Sequence, residues 1–277
     1  PRYFHKQSSL AKTILAAGGL QPVDLVALCE VENDSVMHFL CRRTRLARLG
    51  YEYLVTHSAD RRGIDVALLY QPETFALLHS ETYRVPYDSL RERPTRDLLH
   101  AAGRLPFGDT LDVFVVHFPS RRGGATISEP YRLRAAGILR HLTDSIARCR
   151  HTPRLLAMGD FNDEPHNASV SRVLAPTFAE LTSHATPLPA EGHDDIEGSY
   201  YFRGEWSRID QILVSPALLS PTMKFHTTPQ SVHLLAFPPL LETLGRGTLS
   251  KPFRTYLGPF YHGGISDHLP LCIDFSY

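Results

Sequence analysis

Short apolar runs recur along the chain, and most are bounded by residues that favour turns. Their length and composition are typical of buried or half-buried strands. In chain order these runs read "VDLVALCEV", "YEYLVTH", "GIDVALLY", "TFALLHSETYRV", "RDLLHAAG", "TLDVFVVHF", "RLLAMGD", "IDQILVS" and "LPLCIDF". Several follow one another with no helical segment between them, so the chain must form hairpins there. The pattern therefore predicts a mixed sheet rather than a purely parallel one.

A second kind of segment has apolar residues at the three- and four-residue spacing of an amphipathic helix. Ser8 and Ser9 can cap a first helix, which glycines beginning with Gly18 would stop. A second helix is predicted over residues 34–49, where Gly50 follows. Both helices lie next to predicted strands, which indicates an α/β protein.

The longest helical pattern lies in "SEPYRLRAAGILRHLTDSIARCR". Ser128 is predicted to cap this helix, and Pro130 suits its first turn. One face would carry the apolar residues Leu133, Ile138, Leu142 and Ile146. A further short helix is predicted over residues 168–174. Residues 221–264 are rich in Pro, Gly and aromatic residues, which predicts long ordered loops.

The chain has 277 residues, of which 43% are hydrophobic, so it can bury a large core. We found no repeat, low-complexity tract or linker in the sequence, and we expect one domain over residues 1–277. The formal net charge is zero. This balance leaves nucleic-acid substrates open, because an enzyme needs a positive field only at its cleft. No apolar run approaches the roughly 18 residues of a membrane span, so no span is expected.

Polar residues with metal-binding or acid–base side chains stand where the predicted strands begin or end. In "RLLAMGDFN", Asp160 and Asn162 directly follow a strand, at the edge where open α/β sheets usually hold ligands. Other strands share this layout and contribute Glu30, Asp65, His117, Asp210, Asp267 and His268. These residues are far apart in sequence, so they can form one site only if the sheet brings the strands together.

The chemistry of these side chains suits a metal-dependent site. Several carboxylates in one cleft repel one another unless a cation neutralises them, and oxygen ligands favour Mg²⁺ or Mn²⁺. Glu30, Asp160 and Asp267 are the candidate metal ligands. His117 and His268 are candidates for acid, base or phosphate-donor roles near neutral pH.

Other polar residues are candidates for supporting roles. Asp65 and Asp210 could orient the histidines, while Arg121 and Arg122, together with Asn162, could hold a phosphate. Each candidate also has an ordinary structural interpretation, because Asp and Asn open turns and an arginine pair commonly lies in solvent. With 15 histidines in the chain, most must be structural or exposed.

Read in chain order, the motifs "CEVEN", "VHFPS", "GDFN", "RID" and "SDH" resemble the endonuclease/exonuclease/phosphatase superfamily of deoxyribonuclease I-like enzymes. The resemblance runs from about residue 10 to the end of the chain. The segments "DRRGIDVALLY", "HFPSRRGG" and "KPFRTY" resemble a bacterial branch of this superfamily. The resemblance implies a four-layer sandwich of two packed mixed β-sheets flanked by helices. It also implies metal-dependent cleavage of a phosphoester by in-line attack of water.

The resemblance further implies roles for the acidic residues. Glu30 would be the principal metal ligand, and Asp267 would help to bind the metal. Asp160 and Asn162 would position the nucleophile, the phosphate or a second metal. Mg²⁺ or Mn²⁺ is therefore the expected cofactor.

The histidine roles carry over in the same way. Asp210 would orient His268, which would contact the phosphate or share the role of base. His117 would fill the other histidine role, with Asp65 supporting it. The family's acidic residue aligns with Asp65 only after a shift of one position.

One departure concerns the amino-terminal end. The family normally begins with a strand that ends in an Asn-bearing motif such as "NVEN", whereas this sequence begins with "PRYFHKQ". We expect that strand to be missing from this chain. The compartment stays open, since a secreted or periplasmic location would follow if an amino-terminal signal has been removed.

The sequence thus predicts a monomeric, metal-dependent phosphoester hydrolase, with a nuclease as the leading interpretation and no protein partner. Arg61, Arg62, Arg121 and Arg122 flank two of the site strands and could extend a positive track for nucleic acid. A phosphatase or phosphodiesterase acting on lipid or small-molecule phosphoesters is the alternative within this class. A non-catalytic binding protein on the same scaffold is the alternative from another class.

Overall fold

The computed structural model describes residues 2–87, 93–189, 195–244 and 249–277. The helices are α1 (Arg2–Gly18), α2 (Asp34–Arg43) and α3 (Ala125–Cys149). The chain also forms shorter helical turns at Arg45–Arg48, Ser169–Leu174, Thr182–His184, Pro216–Leu219, Pro229–Ser231 and Pro238–Leu240. Within the described ranges, no helix combines the length and the hydrophobicity needed to cross a bilayer.

The strands form one large sheet and several small ones. In chain order they are β1 (Leu25–Val31), β2 (Glu52–Val55), β3 (Asp65–Tyr70), β4 (Ala76–Tyr83), β5 (Leu98–Arg104), β6 (Thr110–His117), β7 (Arg154–Asp160), β8 (Ala179–Glu180), β9 (Thr186–Leu188), β10 (Tyr200–Phe202), β11 (Glu205–Ser207), β12 (Asp210–Val214), β13 (Val232–Leu235), β14 (Leu241–Leu244), β15 (Leu249–Pro252), β16 (Tyr256–Leu257), β17 (Phe260–Tyr261) and β18 (Leu271–Ile273). The large sheet has the order β4-β5-β6-β7-β12-β8. Two three-stranded sheets have the orders β1-β3-β2 and β18-β13-β9.

The main core lies between the six-stranded sheet and the two three-stranded sheets. It contains Val66 and Leu68 from β3, Val113 and Val115 from β6, and Leu234 from β13. The spacing of two within each strand places these side chains on one face of their sheet, where they meet the opposing sheet. The two inner sheet faces therefore supply the largest share of the buried apolar surface.

Helices cover the two outer faces. Leu139 of α3 belongs to the same buried cluster as Phe114 on the six-stranded sheet. Ala11 of α1 and Met37 of α2 cluster with Leu69 on the β1-β3-β2 sheet. The order helix, sheet, sheet, helix confirms the predicted four-layer sandwich.

The strand pairing confirms the predicted mixed sheet. β4, β5 and β6 form an antiparallel meander, whereas β6 and β7 are parallel and are joined through α3. β12 then adds antiparallel to β7. The meander contains the consecutive apolar runs that follow one another without a helix, so the hairpin prediction holds there.

The first two helices differ from the prediction at their ends. α1 begins at Arg2, so Ser8 and Ser9 lie inside the helix rather than at its cap. α2 ends at Arg43, because the side chain of Thr44 accepts a hydrogen bond from the Leu46 N–H and opens a separate 3-10 turn. The predicted single helix over residues 34–49 is therefore two shorter elements.

Helix α3 also begins earlier than predicted. It starts at Ala125, and Ser128 lies inside its first turns, where Oγ of Ser128 is 2.7 Å from Nη1 of the buried Arg132. The cap prediction for Ser128 is wrong, because this hydroxyl satisfies a buried guanidinium instead of a free backbone N–H. Ala135 and Leu139 are fully buried, while Ile138 packs at the side of the interface.

The prediction of long loops over residues 221–264 is correct only in part. The described part of this stretch contains β13 and the short strand pairs β14-β15 and β16-β17. Residues 245–248 lie outside the described residues. The strand pairs were missed because two- to four-residue strands carry too little periodicity to be recognised.

Candidate active site

Strand register places three of the predicted site residues side by side. β6 and β7 are parallel, and His117 at the end of β6 pairs with Asp160 at the end of β7. β12 is antiparallel to β7, so Asp210 at its start pairs with the same Asp160. Directly opposed residues on neighbouring strands lie on the same face of a sheet. His117, Asp160 and Asp210 therefore form a row along one edge of the six-stranded sheet.

His268 reaches this row from the loop before β18. It forms an isolated bridge with Tyr200, and the two rings lie 4.8 Å apart between centroids. Nδ1 of His268 lies 2.7 Å from Oδ2 of Asp210, and the Ser199 hydroxyl donates to the same oxygen. Asp160, Asp210 and His268 each offer one ligand atom, and these atoms lie within 4.8 Å of one another. We call these three residues the carboxylate–histidine cluster.

The loop after β7 turns Asn162 back onto Asp160. Asn162 has a φ of 50°, and its backbone N–H donates to Oδ1 of Asp160 at 2.7 Å. Its side-chain amide donates to Oδ2 of Asp160 at 3.1 Å and to the Phe118 carbonyl at 3.0 Å. Asn enters this left-handed region more readily than most residues. The two side chains are thus neighbours because the chain makes a tight turn after Asp160.

The electrostatics of the row depend on burial. Burial, followed by the charge of Asp210, raises the pKa of Asp160 to about 7. Burial, followed by the positive charges of Arg96 and Arg62, lowers the pKa of His117 well below its usual value. His117 is therefore neutral at physiological pH, with Nε2 3.3 Å from Oδ2 of Asp160. A cation at this edge would favour the ionised form of Asp160.

His268 has the opposite electrostatic setting. Burial opposes its charged form, but the charge of Asp210 and the hydrogen bond to it outweigh this effect. With further help from Asp160 and Asp267, they raise the pKa of His268 to about 10. The imidazole is therefore protonated at neutral pH. Because Nδ1 is directed to Asp210, Nε2 remains as a second N–H donor.

Glu30 and Asp267, the other predicted metal ligands, are exposed and lie outside the carboxylate–histidine cluster. Glu30 sits at an irregularity in β1 with a φ of 59°, and its Oε1 is 3.5 Å from Nη1 of Arg62. Burial lowers the pKa of the Lys6 amino group, and the charges of Asp267 and Glu30 oppose this shift. Both carboxylates therefore lie near the same amino group on α1, at one side of the site.

Asp65 lies beside the site but does not contact His117. Its Oδ1 accepts hydrogen bonds from the Thr56 hydroxyl and the Ser58 N–H, each at 2.8 Å. Nδ1 of His117 has no hydrogen-bond partner among the described residues. The expected Asp65–His117 hydrogen bond is not formed, because the Asp65 carboxylate holds the loop after β2.

The two arginines of "HFPSRRGG" have different environments. Nε of Arg121 donates to the Asn162 carbonyl at 2.7 Å, and its Nη2 donates to Oδ1 of Asn167 at 2.9 Å. Arg122 is exposed and makes no hydrogen bond or ion pair with any described residue. Arg121 therefore holds the loop that carries Asn162, whereas Arg122 is available to an external anion.

Arg96 belongs to the site and was missed by sequence reasoning. Its guanidinium is buried, with Nη2 2.5 Å from the Phe118 carbonyl and Nη1 3.4 Å from Oδ2 of Asp60. Its positive charge acts on both His117 and Asp160. Arg96 precedes a strand in a polar segment, and no spacing distinguishes such an arginine from a solvated one.

The carboxylate–histidine cluster fits a divalent cation. Asp160 and Asp210 offer carboxylate oxygens to a cation, and the protonated His268 lies beside them with its Nδ1 directed to Asp210. The charge of Asp210 helps to raise the pKa of Asp160, and a bound cation would relieve this repulsion. Oxygen-rich donor sets of this kind suit Mg²⁺ or Mn²⁺.

The two-sheet sandwich, with its acidic and histidine side chains at one sheet edge, defines the class of deoxyribonuclease I-like proteins. The sequence profile of the Endonuclease/Exonuclease/phosphatase family matches residues 1–276, and the chain belongs to this family. The family includes metal-dependent phosphoesterases. Comparison with curated protein sequences gives no match.

Solved structures share the fold at low sequence identity. An endonuclease/exonuclease/phosphatase from Bacteroides vulgatus is 16% identical, with a TM-score of 0.68 over 99% of this chain and 91% of that one. A mannosyl-6-phosphatase from Bacteroides thetaiotaomicron is 14% identical, with a TM-score of 0.65 over 99% and 92%. D. rerio TDP2 complexed with a single-strand DNA product is 16% identical, with a TM-score of 0.63 over 100% and 94%.

Proposed function

We propose that the protein is a Mg²⁺- or Mn²⁺-dependent phosphoester hydrolase that cleaves nucleic-acid phosphodiesters by in-line attack of water. The observation that supports this most is the convergence of Asp160, Asp210 and His268, whose ligand atoms lie within 4.8 Å of one another. A fold shared with D. rerio TDP2 in complex with a single-strand DNA product supports the choice of nucleic acid.

In this mechanism His268 binds the phosphate. Its Nδ1 is engaged by Asp210 at 2.7 Å, so the ring is held in one orientation and Nε2–H is free to donate to a phosphoryl oxygen. The Ser199 hydroxyl fixes the Asp210 carboxylate from its other side. Negative charge that develops on the phosphoryl group is thereby stabilised by a pre-oriented cation.

Asp160 and Asn162 act on the attacking water. Both amide hydrogens of Asn162 are used, one toward Asp160 and one toward the Phe118 carbonyl. Its Oδ1 therefore remains to accept from water, which makes Asn162 an orienting residue rather than a phosphate donor. Asp160 is the acceptor for the proton that the water loses.

A divalent cation would be held by Asp160, with Glu30 and Asp267 at the neighbouring side of the site, and would neutralise phosphoryl charge and lower the pKa of the bound water. The positive charge of Lys6, which interacts with both Glu30 and Asp267, would balance part of their negative charge. His117, neutral and buried beside Asp160, excludes solvent from that carboxylate.

The test is turnover of bis(p-nitrophenyl) phosphate in Mg²⁺ or Mn²⁺ and in chelator. We expect activity to disappear in chelator and to fall about 10²-fold or more in His268→Ala, because that variant removes a transition-state donor. The matched control is His151→Ala, since His151 is exposed and lies outside the site. Full activity of His268→Ala, or undiminished rates in chelator, would contradict the mechanism.

A phosphatase acting on a small phosphoester is the second candidate. It is favoured by the inward position of Arg121, which removes one of the four arginines of the predicted phosphate track. The fold shared with a mannosyl-6-phosphatase is consistent with this reading. Parallel assays on plasmid DNA, RNA, an inositol phosphate and a phosphocholine lipid separate the two candidates. Turnover confined to the small or lipid substrates would end the nuclease proposal but leave phosphoester hydrolysis intact.

A further inference from the structure

A groove of about 640 Å³ lies between α1, α2 and the Arg45–Arg48 turn, apart from the carboxylate–histidine cluster. Two kinds of side chain line it: the aromatic rings Phe4 and Phe39, and the guanidinium groups of Arg43, Arg45 and Arg48. The proposed hydrolytic mechanism uses none of these residues. The groove is therefore a candidate for a second, separate binding site.

The three guanidinium groups are uncompensated. Arg43, Arg45 and Arg48 are exposed and form no ion pair or hydrogen bond with the described residues. The neighbouring Arg42, by contrast, forms an ion pair, with its Nη2 2.7 Å from Oε1 of Glu52. No acidic side chain lines the groove within the described parts of the chain. The groove is therefore positively charged and complementary to an anion.

Local hydrogen bonds hold the arginines around the groove. Oγ1 of Thr44 donates to the Leu40 carbonyl at 2.6 Å and accepts from the Leu46 N–H at 3.2 Å. Leu46 is fully buried and anchors the turn to the core. The backbone that carries Arg43, Arg45 and Arg48 is thus fixed, so the three side chains start from set positions around the groove.

Aromatic rings form the other part of the groove. The centroids of Tyr3, Phe4 and Phe39 lie between 5.1 and 5.5 Å from one another. Phe4 remains 56% exposed and Tyr3 40% exposed. Exposed rings beside guanidinium groups form the combination by which proteins bind single strands: bases stack on rings while phosphates pair with cations. A double helix has no free base faces to offer such rings, and an acidic peptide does not need them.

We propose that this groove is an accessory site for single-stranded nucleic acid, in which Arg43, Arg45 and Arg48 contact phosphates and Phe4 supports a stacked base. This goes beyond the proposed hydrolysis and does not depend on it, because binding can occur without turnover. Helix α1 carries both Phe4, which lines the groove, and Lys6, whose amino group interacts with the charges of Asp267 and Glu30.

The experiment measures binding of a fluorescent oligothymidylate of about 12 residues by anisotropy in chelator, where hydrolysis cannot interfere. We expect the double variant Arg45→Glu/Arg48→Glu to bind about 10-fold or more weakly, and the slope of log affinity against log salt to fall by about 1.4. The matched control is Arg104→Glu/Arg172→Glu, which makes the same change in net charge at exposed arginines outside the groove. An equal loss of affinity in both double variants would overturn the proposal.

Two further probes test the ligand class. Phe4→Ala should weaken binding of oligothymidylate about 10-fold but leave binding of an abasic oligomer of the same length unchanged. Wild-type protein should bind the abasic oligomer and a labelled polyglutamate more weakly than oligothymidylate. Equal affinity for the abasic oligomer would exclude base stacking, and tighter binding of polyglutamate would assign the groove to an acidic protein partner. If the protein binds oligothymidylate as expected but hydrolyses no phosphoester, only the proposed function is contradicted.

Discussion

At the scale of single residues, the partner of each titratable group decides its charge. Asp160 and Asp210 are both aspartates at strand ends, yet Asp210 is matched by His268 at 2.7 Å while Asp160 faces the neutral His117. The two histidines also differ in charge, because the pKa of His117 is lowered whereas the pKa of His268 is raised to about 10. One histidine is therefore suited to donate to an anion and the other is not.

The substitution Asp210→Asn tests this assignment. The folded-state pKa of His268 is raised to about 10, so its protonation stabilises the fold fully below the ordinary pKa of 6.5, and this contribution is lost as the pH rises through 10. Asn retains the shape of Asp but not its charge, so both stability and activity should decline at lower pH than in the wild type. Turnover rate and the free energy of unfolding in denaturant are measured from pH 6 to pH 10. If the alkaline decline falls at the same pH in the variant and the wild type, the role of Asp210 is contradicted. The control is Asp144→Asn, which removes a carboxylate from a more exposed ion pair with Arg140.

The contacts that an arginine makes also depend on its position in the fold. Arg121 donates to the Asn162 carbonyl, whereas its neighbour Arg122 is exposed. Arg132 is fully buried, and its Nε lies 2.7 Å from Oδ1 of Asp163, directly after Asn162. The loop that carries Asn162 is therefore held by two guanidinium groups, those of Arg121 and Arg132.

At the scale of secondary-structure elements, the pairing of β6 with β7 depends on Gly159. Its φ is 138°, and a Cβ at this position would come within 2.0 Å of the Val116 carbonyl oxygen. Glycine lets the two backbones approach, and this approach sets the register that pairs His117 with Asp160.

We therefore expect Gly159→Ala to lower the free energy of unfolding by about 2–4 kcal/mol, because it adds both a steric clash and a strained φ. It should also reduce activity by displacing Asp160. Gly137→Ala in α3 is the matched control, since its Cβ would meet open space and should stabilise the helix by about 0.5–1 kcal/mol. Denaturant unfolding of both variants provides the measurement, and equal stability of the two would refute the packing argument.

At the scale of the whole molecule, the two sheets concentrate negative charge at one edge, and metal binding should therefore stabilise the fold. The pKa of Asp160 is raised to about 7, so the fold loses stability from this group as the pH rises from 3.8 to 7. Mg²⁺ at 100 times its dissociation constant should add about 2.7 kcal/mol to the free energy of unfolding.

Asp160→Asn should remove the part of the pH dependence that comes from Asp160 and most of the gain from Mg²⁺, while leaving the metal-free protein at least as stable as the wild type. Thermal unfolding with and without Mg²⁺ at pH 5 and pH 8 distinguishes these effects without any assay of activity. The same Mg²⁺ stabilisation in Asp160→Asn would show that the cation binds elsewhere.

The sequence by itself determined the longer strands, the family and several of the residues that meet at the site. β1, β3, β6, β7 and β12 lie where apolar runs predict strands, because a buried strand needs a continuous apolar run whatever surrounds it. Asp160, Asn162, Asp210 and His268 were found because each stands beside such a run, where a strand delivers a side chain to the edge of the sheet.

Tertiary structure alone decided how the polar groups are partnered. Asp65 accepts a hydrogen bond from Thr56 and makes none with His117. Ser128 accepts a hydrogen bond from Arg132 instead of capping the helix. Arg96 is buried at the site, although no motif around it in the sequence predicts this. The apolar pattern is local, since each strand or helix repeats its own period. A buried hydrogen bond requires a partner that the fold brings from elsewhere in the chain, such as Asp210 for His268, 58 positions away.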